Sequence, residues 1–360
     1  MALCAAPLAA QSDSTLYVGT YTNNGSKGIY SYRFDAASGK LTPIGVTESS
    51  NPAFLAVHPN GKYLYAANEN GKGTVSAFGI DAASGNLKPL NRVGSGGGGP
   101  CHIAVDNAGK WLFAANYGSG SAAACPIHAD GALGEPAATF QHAGKGPVTD
   151  RQEGPHTHEA AVSADNRFVL FADLGIDEVL SYKIDPVKGM APNNPPFVKL
   201  KPGTGPRHMV YSADAKFVYV LGELGGTVTV FAYDSAKGAL HEIQTISTEP
   251  AGYKGPASTA EIALHPNARF LYASNRGDNT IAIYKVDPAK GTLTAAGWAS
   301  SGGKKPRVFA IHPAGKFLLA ANQDTDQIVV FRIDPQTGGL TPTGQKVDVI
   351  QPVSLVFVRR

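Results

Sequence analysis

Cysteine is scarce in this chain. Three residues in 360, Cys4, Cys101 and Cys125, are too few for a disulfide framework. Cys101 and Cys125 fall on the first and third strands of one repeat unit described below, two strand spacings or about 9.6 Å apart. That exceeds the roughly 7 Å over which a disulfide can close, so both are expected to be free and buried. Charge is scarce too: 16% of residues are charged, the formal net charge is +3, and no Lys/Arg cluster stands out. The sequence therefore gives no grounds for a nucleic-acid partner and points to a small molecule instead. Beyond the N-terminus no apolar run approaches the roughly 20 residues of a membrane-spanning helix. Missing as well are a serine nucleophile elbow, a Gly-rich phosphate loop and an HExxH pair. No cofactor is expected.

Glycine (42 residues) and proline (25) are abundant, and valine, tyrosine and phenylalanine recur in short runs. This is the profile of many short strands joined by tight turns. The opening stretch, Met1 to Gln11, reads MALCAAPLAAQ, a small-residue apolar run ending in an Ala-rich, cleavage-like site. It resembles the end of a secretory signal without a basic n-region. Residues 1–13 are read as a leader remnant and 14–360 as one domain. The expected location is periplasmic or secreted, with the cytoplasm as the alternative.

Repetition organises the rest. Six copies of one pattern run from Asn51 to Glu69, Gly99 to Tyr117, Pro155 to Leu174, Gly205 to Glu223, Ser258 to Arg276 and Lys305 to Gln323, with 47 to 57 residues between equivalent turn positions. In the fourth copy the apolar runs Met209 to Tyr211 and Phe217 to Leu221 flank a polar turn, a β-hairpin signature. A third run (Thr227 to Tyr233) and a weaker fourth (Leu240 to Ile246) follow. Four antiparallel strands per period of about 50 residues make a propeller blade. The chain ends complete the count. Leu16 to Thr20, Gly28 to Phe34 and Leu41 to Val46 lack a first strand, and Gln351 to Val358 is a first strand with nothing after it. The expected fold is an all-β, seven-bladed propeller closed by the C-terminal strand, which leaves no open sheet edge.

A ring of equivalent blades can be read down its columns. The position opening each first strand holds Ala53, Cys101, His158, Arg207, Ala260, Arg307 and Val353; its neighbour holds Phe54, His102, Glu159, His208, Glu261, Val308 and Ser354. The position after each second strand holds Tyr21, Glu69, Tyr117, Leu174, Glu223, Arg276 and Gln323. These columns are richer in ionisable groups than a chain this poor in charge would supply by chance. Imidazoles (His156, His158), guanidiniums (Arg207, Arg276), carboxylates (Glu223, Glu261) and the Gln152 amide are expected to converge at one mouth. Arginine's planar fork suits a carboxylate, a phosphate or a developing oxyanion, and a nearby Glu or His can move a proton. His156 and His158 share a strand face as two metal ligands would, yet spacing places no third. The preceding column (Asn68, Asn116, Asp173, Asn275, Asn322) reads as side chains bonding backbone where strands turn.

The runs LYVGTYT (16 to 22), RQEGPHTH (151 to 158), GPRH (205 to 208), TAEIALHP (259 to 266) and SNRG (274 to 277), with the strand end at Glu223, resemble the lactonase family of seven-bladed propellers. That family's name-giving activity is 6-phosphogluconolactonase, a step of the pentose phosphate pathway, and it also includes a carboxymuconate-cyclising enzyme. The resemblance implies an active site of His158 (or His156), Arg207, Glu223 and Arg276; the residues expected around the same mouth add Gln152, His156, His102, His208, Glu261 and Arg307 as substrate-binding candidates. Two departures are Glu159, where a small residue is expected, and Gly222, where asparagine is more usual. Three functions are weighed. A hydrolase would open a sugar lactone, with water activated by Glu223 or His158 and the arginines holding an anion and the oxyanion. A cyclase would close a muconate-like diacid on the same arginines. A binding platform would carry a vestigial site. Glu261 is expected to partner Arg276. An exported family member would not meet a cytoplasmic phosphosugar, so compartment and substrate constrain each other.

Overall fold

The computed structural model describes residues 13–359; the leader-like stretch and Cys4 lie outside them. The strands form seven four-stranded antiparallel sheets, each in simple up-and-down order from the innermost strand outward. We number the blades from the first internal repeat. Their innermost strands are Pro52–Val57, Pro100–Val105, Thr157–Val162, Pro206–Tyr211, Thr259–Leu264, Pro306–Ile311 and, for blade 7, Pro352–Arg359. Each packs against the next, and Pro352–Arg359 packs back against Pro52–Val57, closing the ring. Blade 7 joins both chain ends: Pro352–Arg359 pairs with Ser14–Thr20, which continues to Gly28–Phe34 and Leu41–Glu48. The all-β, seven-bladed propeller read from the repeats is the fold observed.

Second strands are the most deeply buried elements, as Phe168–Asp173 and Phe270–Asn275 illustrate with every residue inside. Outermost strands alternate between buried and exposed positions and so present one polar face to solvent. Blades are seated against one another by a recurring turn between third and fourth strands. There an Asp side chain accepts two backbone N–H bonds, as Asp334 does from Gln336 and Thr337. The glycine that follows has positive φ and lies flat on an aromatic ring of the preceding blade: Gly338 on Phe270, with Gly39 against Phe317 and Gly238 against Phe168 in the same way. A Cβ at Gly338 would stand 2.6 Å from the Phe270 ring, so glycine is required there both for its φ and for the close approach.

One backbone feature controls where the site forms. In every blade the register of the inner hairpin slips beside the start of the innermost strand. In blade 4, Pro206 opposes Gly222 and Met209 opposes Val220, so Arg207 and His208 together face only Leu221. This is a β-bulge, which breaks strict side-chain alternation and re-aims the extra residue. The extra residue is that of the first column, joined in blades 4 and 5 by its second-column neighbour. The hairpin of blade 4 thus begins at Pro206, earlier than the apolar run from Met209 suggests, because the bulged residues are polar.

The Asn/Asp column serves structure, as expected. Asn68, Asn116, Asn275 and Asn322 each donate from Nδ2 to a backbone carbonyl, of Ser50, Ser95, Thr248 and Ser301 respectively. Asp173 accepts from the backbone N–H of His156 and of Gly175 and meets His142 at 2.7 Å. Cys101 and Cys125 are free and buried.

Candidate active site

At the mouth of the central channel lies a cavity of about 190 Å³ lined by residues from all seven blades and one loop. Blade 4 supplies Glu223, blade 5 Arg276, blade 3 His158 and blade 6 Arg307; Tyr21, Glu69, Cys101 and Tyr117 form the remaining wall, and Arg151 reaches in from the loop between blades 2 and 3.

Glu223 is the hub. Its Oε2 lies 2.9 Å from Arg207 Nε and 2.9 Å from Arg276 Nη2, and its Oε1 accepts from Arg151 Nη2 at 2.7 Å. The Arg207 contact is an ion pair without hydrogen-bond alignment, since Nε has no acceptor in good geometry. Burial pushes the Glu223 carboxyl up, but Arg276, Arg207 and Arg151 outweigh it and hold the group at about 2. A carboxylate held so low is a poor proton acceptor at neutral pH; what it does is lock guanidiniums in place. Arg276 also donates to the Thr259 carbonyl at 3.0 Å, and burial brings it down to about 10. On the opposite wall Tyr21 donates to Glu69 Oε2 at 2.6 Å, while Arg307 lies over the Tyr21 ring at 5.3 Å. Three lining guanidiniums, Arg151, Arg276 and Arg307, against the carboxylates of Glu69 and Glu223, with Arg207 behind them, leave the mouth cationic.

His158 stands in this field as a neutral ring. Burial first, then Arg207 and His208, holds its pKa well below the usual imidazole value. Its Nδ1 is buried and has no hydrogen-bond partner among the described residues. An orphaned buried nitrogen on a cavity wall is a feature that folding alone does not favour.

Several expected contacts fall elsewhere. Arg207 is buried behind Glu223 and does not line the cavity: its Nη1 donates to the Ala260 carbonyl and lies 3.4 Å from His208 Nε2. Gln152, also fully buried, donates to the Leu174 carbonyl and accepts from Val148 N–H, so its amide ties down the loop. His156 is turned away from His158; it bonds the Tyr117 carbonyl and Glu153 and stacks on the Tyr117 ring at 4.4 Å. Among the described residues no group of three or more His, Cys, Asp or Glu is arranged to hold a metal ion.

His102, Glu159, His208 and Glu261 form a separate layer behind the cavity wall. Glu261 Oε1 meets His208 Nδ1 at 3.1 Å and accepts from Ile262 N–H, so its partner is His208, not Arg276. Glu159 accepts from Met209 N–H and lies 3.7 Å from His102 Nε2. His102 stacks on Phe54 at 3.8 Å. Its Nδ1 accepts from Ala160 N–H, which places the ring proton on Nε2. Burial raises both carboxyls, Glu261 to about 7, and lowers both imidazoles. The departure at Glu159 is thus absorbed behind the wall. Arg151 was absent from the columns because it sits on a loop, and the only signal for it was its place next to Gln152 in the RQEGPHTH run.

The model of the family "Lactonase, 7-bladed beta-propeller" matches residues 15–357. The chain belongs to this family. Over 296 residues it is 36% identical to the 6-phosphogluconolactonase of Bacillus subtilis, a match spanning 81% of this chain and 83% of that protein. Over 304 residues it is 34% identical to the 6-phosphogluconolactonase of Formosa agariphila, spanning 82% and 85%. The solved structure of the periplasmic gluconolactonase of Pseudomonas aeruginosa superposes with a TM-score of 0.92 at 37% identity, covering 96% of this chain and 99% of that one. The fold is therefore shared with that solved structure over nearly the whole of both chains.

Proposed function

We propose that the protein hydrolyses a sugar δ-lactone to the free acid at this mouth, with 6-phosphogluconolactone as the substrate that fits best and no cofactor. The observation that carries the reading is a neutral, hydrogen-bond-orphaned His158 beside Arg276, which Glu223 holds in place, and Arg307, which lies over the Tyr21 ring. Those donors suit an oxyanion, and their excess over the carboxylates suits a substrate that is itself anionic.

In this scheme the lactone carbonyl oxygen lies toward Arg276, with Arg307 on the neighbouring blade. Water attacks the carbonyl carbon as the His158 imidazole accepts its proton, and the negative charge that develops on oxygen is met by the guanidiniums. Collapse of the tetrahedral intermediate breaks the ring C–O bond, and the imidazolium returns its proton to the departing hydroxyl. The carboxylic acid ionises on release. His158, not Glu223, is assigned the proton because three guanidiniums hold Glu223 ionised. Arg207 acts as a positioning residue through Glu223.

The names of the relatives bracket the substrate between phosphorylated and unphosphorylated gluconolactone, and the cationic mouth favours the former. Export, proposed from residues 1–11, would supply the latter; immunoblotting of cytoplasmic and periplasmic fractions decides which pool the protein meets. The activity is tested by following acid release from fresh 6-phosphogluconolactone and glucono-δ-lactone, corrected for spontaneous hydrolysis. Acceleration of neither, with loss of muconate absorbance instead, would replace the hydrolase by a cyclase.

A further inference from the structure

The guanidiniums on Glu223 are not equivalent. Arg207 and Arg276 share Oε2 and are 2% and 13% exposed, whereas Arg151 alone occupies Oε1 and is 38% exposed. Arg207 comes from the innermost strand of blade 4 and Arg276 from the turn that directly follows the second strand of blade 5, whereas Arg151 comes from the long loop between blades 2 and 3. That loop is built to present it. Val148 C=O accepts from both Arg151 N–H and Gln152 N–H, Gly146 N–H donates to the Gln152 carbonyl, and the buried Gln152 amide anchors the turn to Leu174. A side chain at Gly146 would collide with that amide. The backbone under Arg151 is thus fixed while its side chain crosses the mouth, touching Tyr117 Oη at 3.3 Å.

We propose that Arg151 is the specificity residue for the substrate's distal anion: it rests on Glu223 in the free protein and exchanges that carboxylate for the phosphate of a phosphorylated sugar lactone. The exchange is feasible because Arg151 is the exposed partner of the pair and Glu223, which is buried, keeps both guanidiniums on its other oxygen. A phosphate offers the Arg fork a bidentate partner in return. Arg207, sealed behind Glu223 on the Ala260 carbonyl, and Arg276, tied to the Thr259 carbonyl, are less free to make this move. The proposal rests on the lactonase reading above, and the test below separates the two.

The test compares wild type, Arg151→Met and Arg151→Lys in hydrolysis of 6-phosphogluconolactone and glucono-δ-lactone, and in calorimetric binding of 6-phosphogluconate and gluconate. Met keeps the apolar stem and removes the charge. The expected result is that Arg151→Met lowers the ratio of kcat/KM for the phosphorylated over the plain lactone by about tenfold or more, the loss lying in KM, as for an interaction made equally in ground and transition states. Binding of 6-phosphogluconate weakens in parallel, and Arg151→Lys recovers part of it. An unchanged ratio overturns the proposal, whether both activities fall together or neither falls. If wild type hydrolyses neither lactone the functional reading fails, and the binding arm still decides: 6-phosphogluconate affinity independent of Arg151 overturns the inference, and dependence on it upholds it.

Discussion

The mouth and the layer behind it are made of the same chemical types, yet they sit in opposite protonation states. At the mouth Glu223 is held ionised at about 2 by Arg276, Arg207 and Arg151 acting against burial. Behind the wall, burial is the first influence on Glu261 and raises it to about 7, and burial likewise raises Glu159 well above the usual carboxyl range. The carboxylate that touches guanidiniums stays charged; those that touch imidazole and backbone N–H groups hold their protons. Charge is therefore confined to the cavity where an anionic substrate and an oxyanion would lie, and the layer behind packs as a neutral hydrogen-bonded support. A buried carboxylate without a cation would otherwise carry a desolvation cost of several kcal/mol.

The largest test removes the frame that both layers share. Deleting residues 353–360 takes away the innermost strand of blade 7 and exposes the edge of Ser14–Thr20. Global unfolding is expected, seen as loss of the cooperative melting transition; a truncated protein that melts like the full chain would contradict ring closure.

A smaller change should break the mouth alone. Glu223→Gln leaves Arg207 buried beside a neutral amide, and removing one partner of a buried ion pair typically costs about 3–5 kcal/mol. Lowered denaturant midpoint and raised KM are expected together with reduced kcat. His158→Asn, by contrast, should lower kcat by about 10²- to 10⁴-fold, as for loss of a general base, with little loss of stability. A Glu223→Gln variant of normal stability and KM but low kcat would return the base to Glu223.

The inner layer gives a subtler signal. Between about 4.5 and 7 the folded protein keeps the Glu261 proton while the unfolded chain has released it. That contribution is present at low pH and is lost as pH rises through about 7. Glu261→Gln, which mimics the protonated acid, should flatten the fall in Tm between pH 5 and 7.5 relative to wild type; identical slopes would show that Glu261 is ionised throughout. The smallest expected effect is that of chelation. With no complete ligand set among the described residues, EDTA should leave lactone hydrolysis unaltered, and activity lost to EDTA and restored by calcium would contradict this.

The fold was legible because each blade repeats its own turn and strand chemistry, so even the split blade 7 could be assembled from Leu16–Phe34 and the closing run at 351–358. The columns named most of the cavity wall, including His158, Glu223, Arg276 and Arg307. What could not be read was depth. The bulge at each inner strand puts consecutive residues such as Arg207 and His208 on unexpected sides, and which of them reaches the cavity depends on backbone that no apolar pattern marks. Arg151 escaped because a loop has no equivalent in other repeats. The partner of Glu261 was misjudged for a related reason, since contacts between blades depend on strand depth and not on column order.

The central claim is the split in protonation between two buried glutamates of one channel. It is tested most directly by carboxyl-¹³C NMR titration of glutamate-labelled protein, with Glu223→Gln and Glu261→Gln to assign the two signals. The account predicts that Glu261 titrates near pH 7 while Glu223 stays ionised down to the acid limit of folding. Both glutamates titrating together near 4.5 would contradict it.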